Sequence, residues 1–320
     1  MAWYFVVIIF IASCFVLSWL SSRMVGDLVR VAKYLNWREF IIAFFVMSIA
    51  TSLPNLFTDF NAALQGRPEL AFGDIIGGNL VDLTFVLAIA TFFSKNGLSS
   101  ESGMVQKSAI FTTLIAVLPL LLIVDGNLNR ADGLILIGAF ALYSWWIFSE
   151  REHFKKRYSY RNQTAVSGFP GFLKSLIKIL ILVVLLLGAS FVVVDSAQFF
   201  ADKLGISLAM VGVLILGLGN SFPEIYFSVI SARKNENWLV LGDMMGSVIV
   251  CTTLVLGLVA TILPFEIHDF SPFITARIFL IVAAVFSLIF IRSGKRITKR
   301  EGLFLMFLYI SFLIFEVFSK

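Results

Sequence analysis

The sequence repeats itself. Ala50–Leu87 aligns without a gap to Gly219–Leu256 at a constant offset of 169 positions, pairing Ser52 with Ser221, Pro54 with Pro223, Gly73 with Gly242, Asp74 with Asp243 and Gly77 with Gly246. Each copy sets a polar, proline-containing stretch inside apolar sequence: Ala50-Thr51-Ser52-Leu53-Pro54-Asn55 in the first, Gly219-Asn220-Ser221-Phe222-Pro223-Glu224 in the second. A chain made of two such units is held to a two-fold plan, and interrupted apolar segments at matching places in the two halves mark where the units meet.

Composition decides the solvent. At 59% hydrophobic and 14% charged residues, with a mean hydropathy of +0.94, the 320 residues carry more apolar surface than a soluble core hides. The chain is therefore expected to be an all-α integral membrane protein. Measured against the ~20 residues that cross a bilayer, the apolar runs give ten segments, at 2–20, 39–64, 70–94, 107–124, 131–149, 173–200, 207–231, 238–263, 272–291 and 302–318. The run 2–20 has no basic start and no small-residue cleavage site, so it reads as a first span and not as a signal peptide. Residues 150–172, which contain Arg151, Lys155, Lys156, Arg157 and Arg161, read as a basic cytoplasmic linker between a first five-helix unit at 1–149 and a second at 173–320. Cys14 and Cys251 both lie in apolar segments and make no disulfide framework.

Lys and Arg collect in cytoplasmic loops. With both termini extracytoplasmic, all but five of the 25 basic residues fall inside; Arg67, Arg130, Lys203, Arg277 and Lys320 are the exceptions. The net charge of +5 thus reports topology and attraction to anionic lipid, with no call for a nucleic-acid partner. Five spans per half is an odd number, so the second half must enter the membrane in the opposite sense. The expectation is two inverted five-helix repeats, with segments two and three facing segments seven and eight near the midplane.

Pro54 and Pro223 each remove a backbone donor, which is expected to break these helices and free carbonyls from Ser48 to Thr51 and from Gly217 to Asn220. Carbonyls that face a cavity are ready cation ligands. Thr51, Ser52, Asn55, Asn220 and Ser221 add neutral oxygens close by, and Glu224 adds a carboxylate. In the neighbouring segments Gly73 and Gly77, like Gly242 and Gly246, are four apart and allow close helix packing, which turns the next polar positions inward: Gly78 and Asp82 in one half, Ser247 and Cys251 in the other. Asn55 and Asp82 are separated by the same 27 residues as Glu224 and Cys251, so the two halves have traded their acids. A carboxylate at the bilayer centre costs a few kcal/mol unless a cavity, a cation or a proton accompanies it. Two of them imply cation handling.

Other polar residues have plainer readings. Asp74 and Asp243 sit near the starts of segments three and eight, where a carboxylate complements the helix dipole or meets an entering ion. His153 and His268 belong to polar loops and read as solvated side chains.

With these residues in place, the chain resembles the sodium/calcium exchanger superfamily, the calcium:cation antiporters. The resemblance lies in the doubled pattern of a Gly-Thr-Ser-Leu-Pro-Glu-like break followed by a Gly-Asn/Asp-x-x-Gly-Ser-Asn-like helix. In this sequence the second elements read Gly73-Asp74-Ile75-Ile76-Gly77-Gly78-Asn79 and Gly242-Asp243-Met244-Met245-Gly246-Ser247. The resemblance implies alternating access, with segments one and six sliding across a core that holds the ions. It places acidic calcium ligands at Asn55 and Glu224, polar ligands at Asp82 and Cys251, serines at Ser52, Ser221, Gly78 and Ser247, and ligating carbonyls near Thr51 and Asn220. Asn55, Cys251 and Gly78 depart from the family's acid, acid-or-amide and serine.

Ca²⁺ takes six to eight hard oxygens, and two carboxylates neutralise one Ca²⁺ or two Na⁺. The leading expectation is therefore a secondary antiporter, not an enzyme, that exchanges Ca²⁺ for Na⁺ at one midplane site with Glu224 and Asp82 as charged ligands. The alternative keeps the fold and moves another divalent ion, K⁺ or H⁺, because Asn55 and Cys251 replace the expected acidic ligands and a thiol is a poor ligand for hard cations. A gated channel or a membrane scaffold gives no reason for paired acids in repeated units. The expected partners are cations and the bilayer of the cell membrane; a monomer suffices, and no cofactor is called for.

Overall fold

The computed structural model describes residues 3–35, 47–149, 168–267 and 273–318. The chain is mostly helical, and among the described residues nine helices are long and apolar enough to cross a membrane. In chain order the helices are α1 (Trp3–Tyr34), α2 (Met47–Thr51), α3 (Leu53–Leu64), α4 (Pro68–Val81), α5 (Leu87–Phe93), α6 (Gly103–Leu122), α7 (Arg130–Ser149), α8 (Gly168–Leu204), α9 (Leu208–Val211), α10 (Gly217–Asn220), α11 (Phe222–Arg233), α12 (Asn237–Ile249), α13 (Leu256–Ile262), α14 (Ile274–Arg292) and α15 (Lys299–Phe318). The start of the second expected segment, residues 150–167 of the linker, His153 and His268 lie outside the described residues.

Two boundaries differ most from the apolar runs. The first helix does not stop at residue 20 but continues to Tyr34, because Ser21, Met24 and Asp27 on its inner face are buried. Asp27 takes Arg30 Nη1 at 3.1 Å and the Ser175 hydroxyl of α8 at 3.4 Å, so polar residues in the extension pair with each other. The sixth segment begins at Gly168, five residues early.

The two halves turn at matching positions. Gly66 adopts φ +71°, and 169 positions later Asn235 adopts φ 59°, both in the left-handed region that ends helices. Around Gly66 the N–H groups of Gly66 and Arg67 donate to Ala63 O and Ala62 O; around Asn235 those of Asn235 and Glu236 donate to Ala232 O and Ser231 O, the same closure at the same offset. Four two-residue strands follow a similar rule. β1 (Leu98–Ser99) pairs antiparallel with β4 (Arg296–Ile297), and β2 (Asn127–Leu128) with β3 (Phe265–Glu266). β4 is β2 displaced by 169 positions, and β3 falls within two residues of the place equivalent to β1.

Burial separates two apolar clusters. One joins α1 to α8 through Leu17, Leu20, Leu186, Val193 and Val194 and reaches Ala50, Leu53, Phe57, Val211 and Leu216. The other, larger cluster holds α4 to α7 together with α12 to α15. Between them the polypeptide crosses itself with no side chain intervening. A Cβ on Gly73 would stand 2.5 Å from Ala209 O, and one on Gly217 would stand 2.7 Å from Gly78 N. Glycine is required at these crossings because the backbones touch.

Candidate functional site

Ser52 and Ser221 each occupy the single residue between two helices, with φ −78°, ψ 0° and φ −80°, ψ 4°. Leu53 and Phe222 restart the helix, and the proline that follows each tolerates the first turn, where its missing N–H has no helical partner. The interruption is shallower than the prolines predict. Ser52 N–H still reaches Ser48 O (3.1 Å) and Leu56 N–H still reaches Ser52 O (3.0 Å). The Thr51 hydroxyl stands 3.2 Å from the Ser48 carbonyl and shares its single proton between it and the Asp243 carboxylate. The Ala50 carbonyl, whose helical donor is missing at Pro54, takes the Ser21 hydroxyl of α1. The Gly217 carbonyl takes the Ser221 hydroxyl at 2.8 Å.

Thr51 and Asn220 turn across to the opposite half. Thr51 Oγ1 donates to Asp243 Oδ1 at 3.1 Å and Asn220 Nδ2 donates to Asp74 Oδ2 at 2.6 Å, two contacts related by the 169-residue offset. Asp74 and Asp243 are therefore not exposed groups at helix ends. They are 0% and 1% exposed and fasten one half to the other. Ser48 Oγ makes a longer contact of the same kind, 3.4 Å to Gly242 O.

Inside these clasps the remaining predicted residues converge. The Ser52 hydroxyl donates to Ser247 Oγ (3.2 Å), which donates to Glu224 Oε1 (3.1 Å). Asp82 neighbours the hydroxyls of Ser247 and Ser221, and Glu224 lies within electrostatic range of Asp82 and Asp243. Asn55 Nδ2 contacts Cys251 Sγ at 3.3 Å. Asp82 and Cys251 stand at or next to the start of π-helical turns, Asp82–Val86 and Val250–Val255, whose wider spacing re-aims the side chains they carry. Gly78 brings no side chain; a Cβ there would lie 3.6 Å from Asn55 Nδ2 and 3.9 Å from both Gly217 O and Ser221 Oγ.

The site is buried and short of donors. Asn55, Asp82 and Glu224 are at most 3% exposed, and Asn55 Oδ1, Asp82 Oδ1 and Glu224 Oε2 have no hydrogen-bond partner. Among the described residues neither acid is in an ion pair, and no three His, Cys, Asp or Glu side chains gather as a metal-binding group. Any ion held here must take most of its oxygens from hydroxyls, amides and carbonyls. One acid was missed by the sequence reading: Asp59, four residues after Asn55 on α3 and 0% exposed. The signal was available, since an acid one turn from a polar site in an apolar segment shares its face.

A multi-span membrane protein with two clasped halves and a buried acid pair defines a class, and comparison with known proteins places the chain within it. A sequence profile of the family described as sodium/calcium exchanger protein matches residues 5–149 and 174–318. The chain belongs to that family, an integral multi-pass membrane family of cation antiporters. The sodium/calcium exchanger MaX1 of Methanosarcina acetivorans is 26% identical over 92% of this chain and 93% of its own length. The inner membrane protein YrbG of Escherichia coli is 28% identical over 83% and 82%. In fold, the chain is similar to a solved structure of the sodium-calcium exchanger NCX_Mj, with a TM-score of 0.66, 97% of each chain covered and 24% identity.

Proposed function

We propose that this antiporter exchanges Ca²⁺ for Na⁺ by alternating access at one central site. Glu224 and Asp82 are the charged ligands; Ser52, Ser221, Ser247 and Asn55 supply neutral oxygens, with backbone carbonyls such as Gly217. The observation that carries the reading is the meeting of Glu224 and Asp82, from different halves, each buried with an unpartnered carboxylate oxygen and, among the described residues, no ion pair to a cationic side chain. Formal charge −2 balances one Ca²⁺ or two Na⁺, and desolvated carboxylates need such company. Relatives named sodium/calcium exchangers support the choice of ions. The matched turns, clasps and strand pairs support two inverted five-helix repeats, and the long α1–α8 pair, packed on the core through its own apolar cluster, is the unit that slides. Both termini are extracytoplasmic and the site works in the cell membrane.

Purified protein in liposomes tests this. ⁴⁵Ca²⁺ uptake driven by an outward Na⁺ gradient, with none driven by a pH gradient, is the expected result; uptake under the pH gradient alone overturns the choice of Na⁺.

A second reading has its own observation. The Asn55–Cys251 contact puts an uncharged amide and thiol where the other diagonal has two acids, which favours a different cargo such as another divalent ion, K⁺ or H⁺. Competition of unlabelled ions against ⁴⁵Ca²⁺ separates the two.

A further inference from the structure

Asp59 and Asp74 form a second acidic place that the central site does not use. Asp59 lies one helical turn beyond Asn55, toward the Gly66 turn. Its carboxylate lies within hydrogen-bonding reach of that of Asp74, and both residues are 0% exposed. Neither Asp59 oxygen has a hydrogen-bond partner, and neither has Asp74 Oδ1. A third residue reaches the pair. Asn220, 2% exposed, gives its Nδ2 to Asp74 and has an unpartnered Oδ1 on the same amide.

Three buried carboxylate oxygens without a donor therefore belong to this pair, a fourth unpartnered oxygen sits on the amide that binds Asp74, and among the described residues no Lys, Arg or His forms an ion pair with either acid. Two like charges out of water repel, and the arrangement is costly unless a shared proton or a metal cation completes it. Repeat symmetry does not account for the pair. The second half keeps Asp243 at the place of Asp74 but has Ser228 at the place of Asp59, so this pair of acids belongs to the first half alone.

We propose that Asp59 and Asp74, with the Asn220 side-chain carbonyl, bind a hard cation at a site distinct from Glu224 and Asp82. Carboxylate and amide oxygens select alkali and alkaline-earth ions over soft metals. The proposal stands apart from the Ca²⁺/Na⁺ reading of the central acids.

Equilibrium binding of ²²Na⁺ and, separately, ⁴⁵Ca²⁺ to the purified full chain is the test. In the double variant Glu224→Gln/Asp82→Asn, one bound cation is expected to remain, and adding Asp59→Asn or Asp59→Ser is expected to remove it. The isotope retained tells which ion the site takes. A double variant that binds neither ion, or one whose remaining ion survives both Asp59 substitutions, overturns the proposal. Wild-type crystals soaked in Tl⁺ or Sr²⁺ give a check that no variant's folding can confound: an anomalous peak between Asp59 and Asp74 is expected, and peaks confined to Glu224 and Asp82 refute it. A wild-type protein with the Asp59-dependent ion but no Glu224-dependent one instead refutes the central site and leaves this one standing.

Discussion

Two side-chain pairs occupy equivalent places in the two halves and differ completely in charge. Asn55 meets Cys251 as an amide against a thiol, while Glu224 and Asp82, their counterparts at the 169-residue offset, are two buried acids. The surroundings are nearly the same: both pairs sit beside a serine at a helix junction and at a π-helical turn. Backbone symmetry has survived while charge has been drawn onto one diagonal. Position in this fold is thus set by proline, glycine and the cross-half clasps, and the charge of the site is set separately by a few side chains that can change without disturbing it.

The sharpest way to break that comparison is to remove charge from the acidic diagonal. Glu224→Gln and Asp82→Asn are each expected to abolish Na⁺-driven ⁴⁵Ca²⁺ uptake in liposomes, with unaltered gel-filtration behaviour because the amides keep the shape. Wild-type flux in either variant removes that residue from the site. The converse experiment adds charge to the neutral diagonal. Asn55→Glu with Cys251→Asp is expected to tighten divalent binding by about tenfold or more, ~1.4 kcal/mol; unchanged affinity by calorimetry means that these positions do not face the ion.

Changes to the framework act on stability. At Gly77 a Cβ would run into the Val213 carbonyl, so Gly77→Ala is expected to cost about 1–3 kcal/mol, visible as a lower unfolding temperature in detergent. Thr51→Val keeps the volume but takes the hydroxyl from Asp243, and a loss of about 1–2 kcal/mol is expected. A stability equal to wild type would show that this clasp does not fasten the halves.

The framework was legible in the sequence because its parts are chemically extreme. Long apolar runs, doubled prolines and glycines at fixed spacing can do few other things in a bilayer, and seven of the ten segments needed only small adjustments, the start of the second lying outside the described residues. The extension of α1 to Tyr34 was hidden because Arg23 and Asp27 lower its local hydropathy although its inner face is buried. In the sequence Thr51 and Asn220 read as ligands because their oxygens stand at the break; only the fold shows Asp243 and Asp74 arriving from the other half to engage their side chains. The π-helical turns have no local sequence code, for they arise from packing. Asp59 was overlooked because the repeat gave it no acidic partner.

The smallest expected effect is the most discriminating about the symmetry itself. Gly78 is equivalent to Ser247, whose hydroxyl links Ser52 to Glu224. A Cβ at Gly78 would make contacts no closer than 3.6 Å, ordinary van der Waals distances, so Gly78→Ser should change stability by less than about 0.5 kcal/mol. Its new hydroxyl would stand near Ser221, as Ser247 stands near Ser52, and would add one neutral oxygen beside Asn55. A modest rise in cation affinity, about two- to threefold or ~0.5 kcal/mol, is the expected outcome by isotope binding. If stability falls by several times that amount, the space beside Gly78 is backbone-limited, like that at Gly77, and the two halves are not interchangeable at the ion.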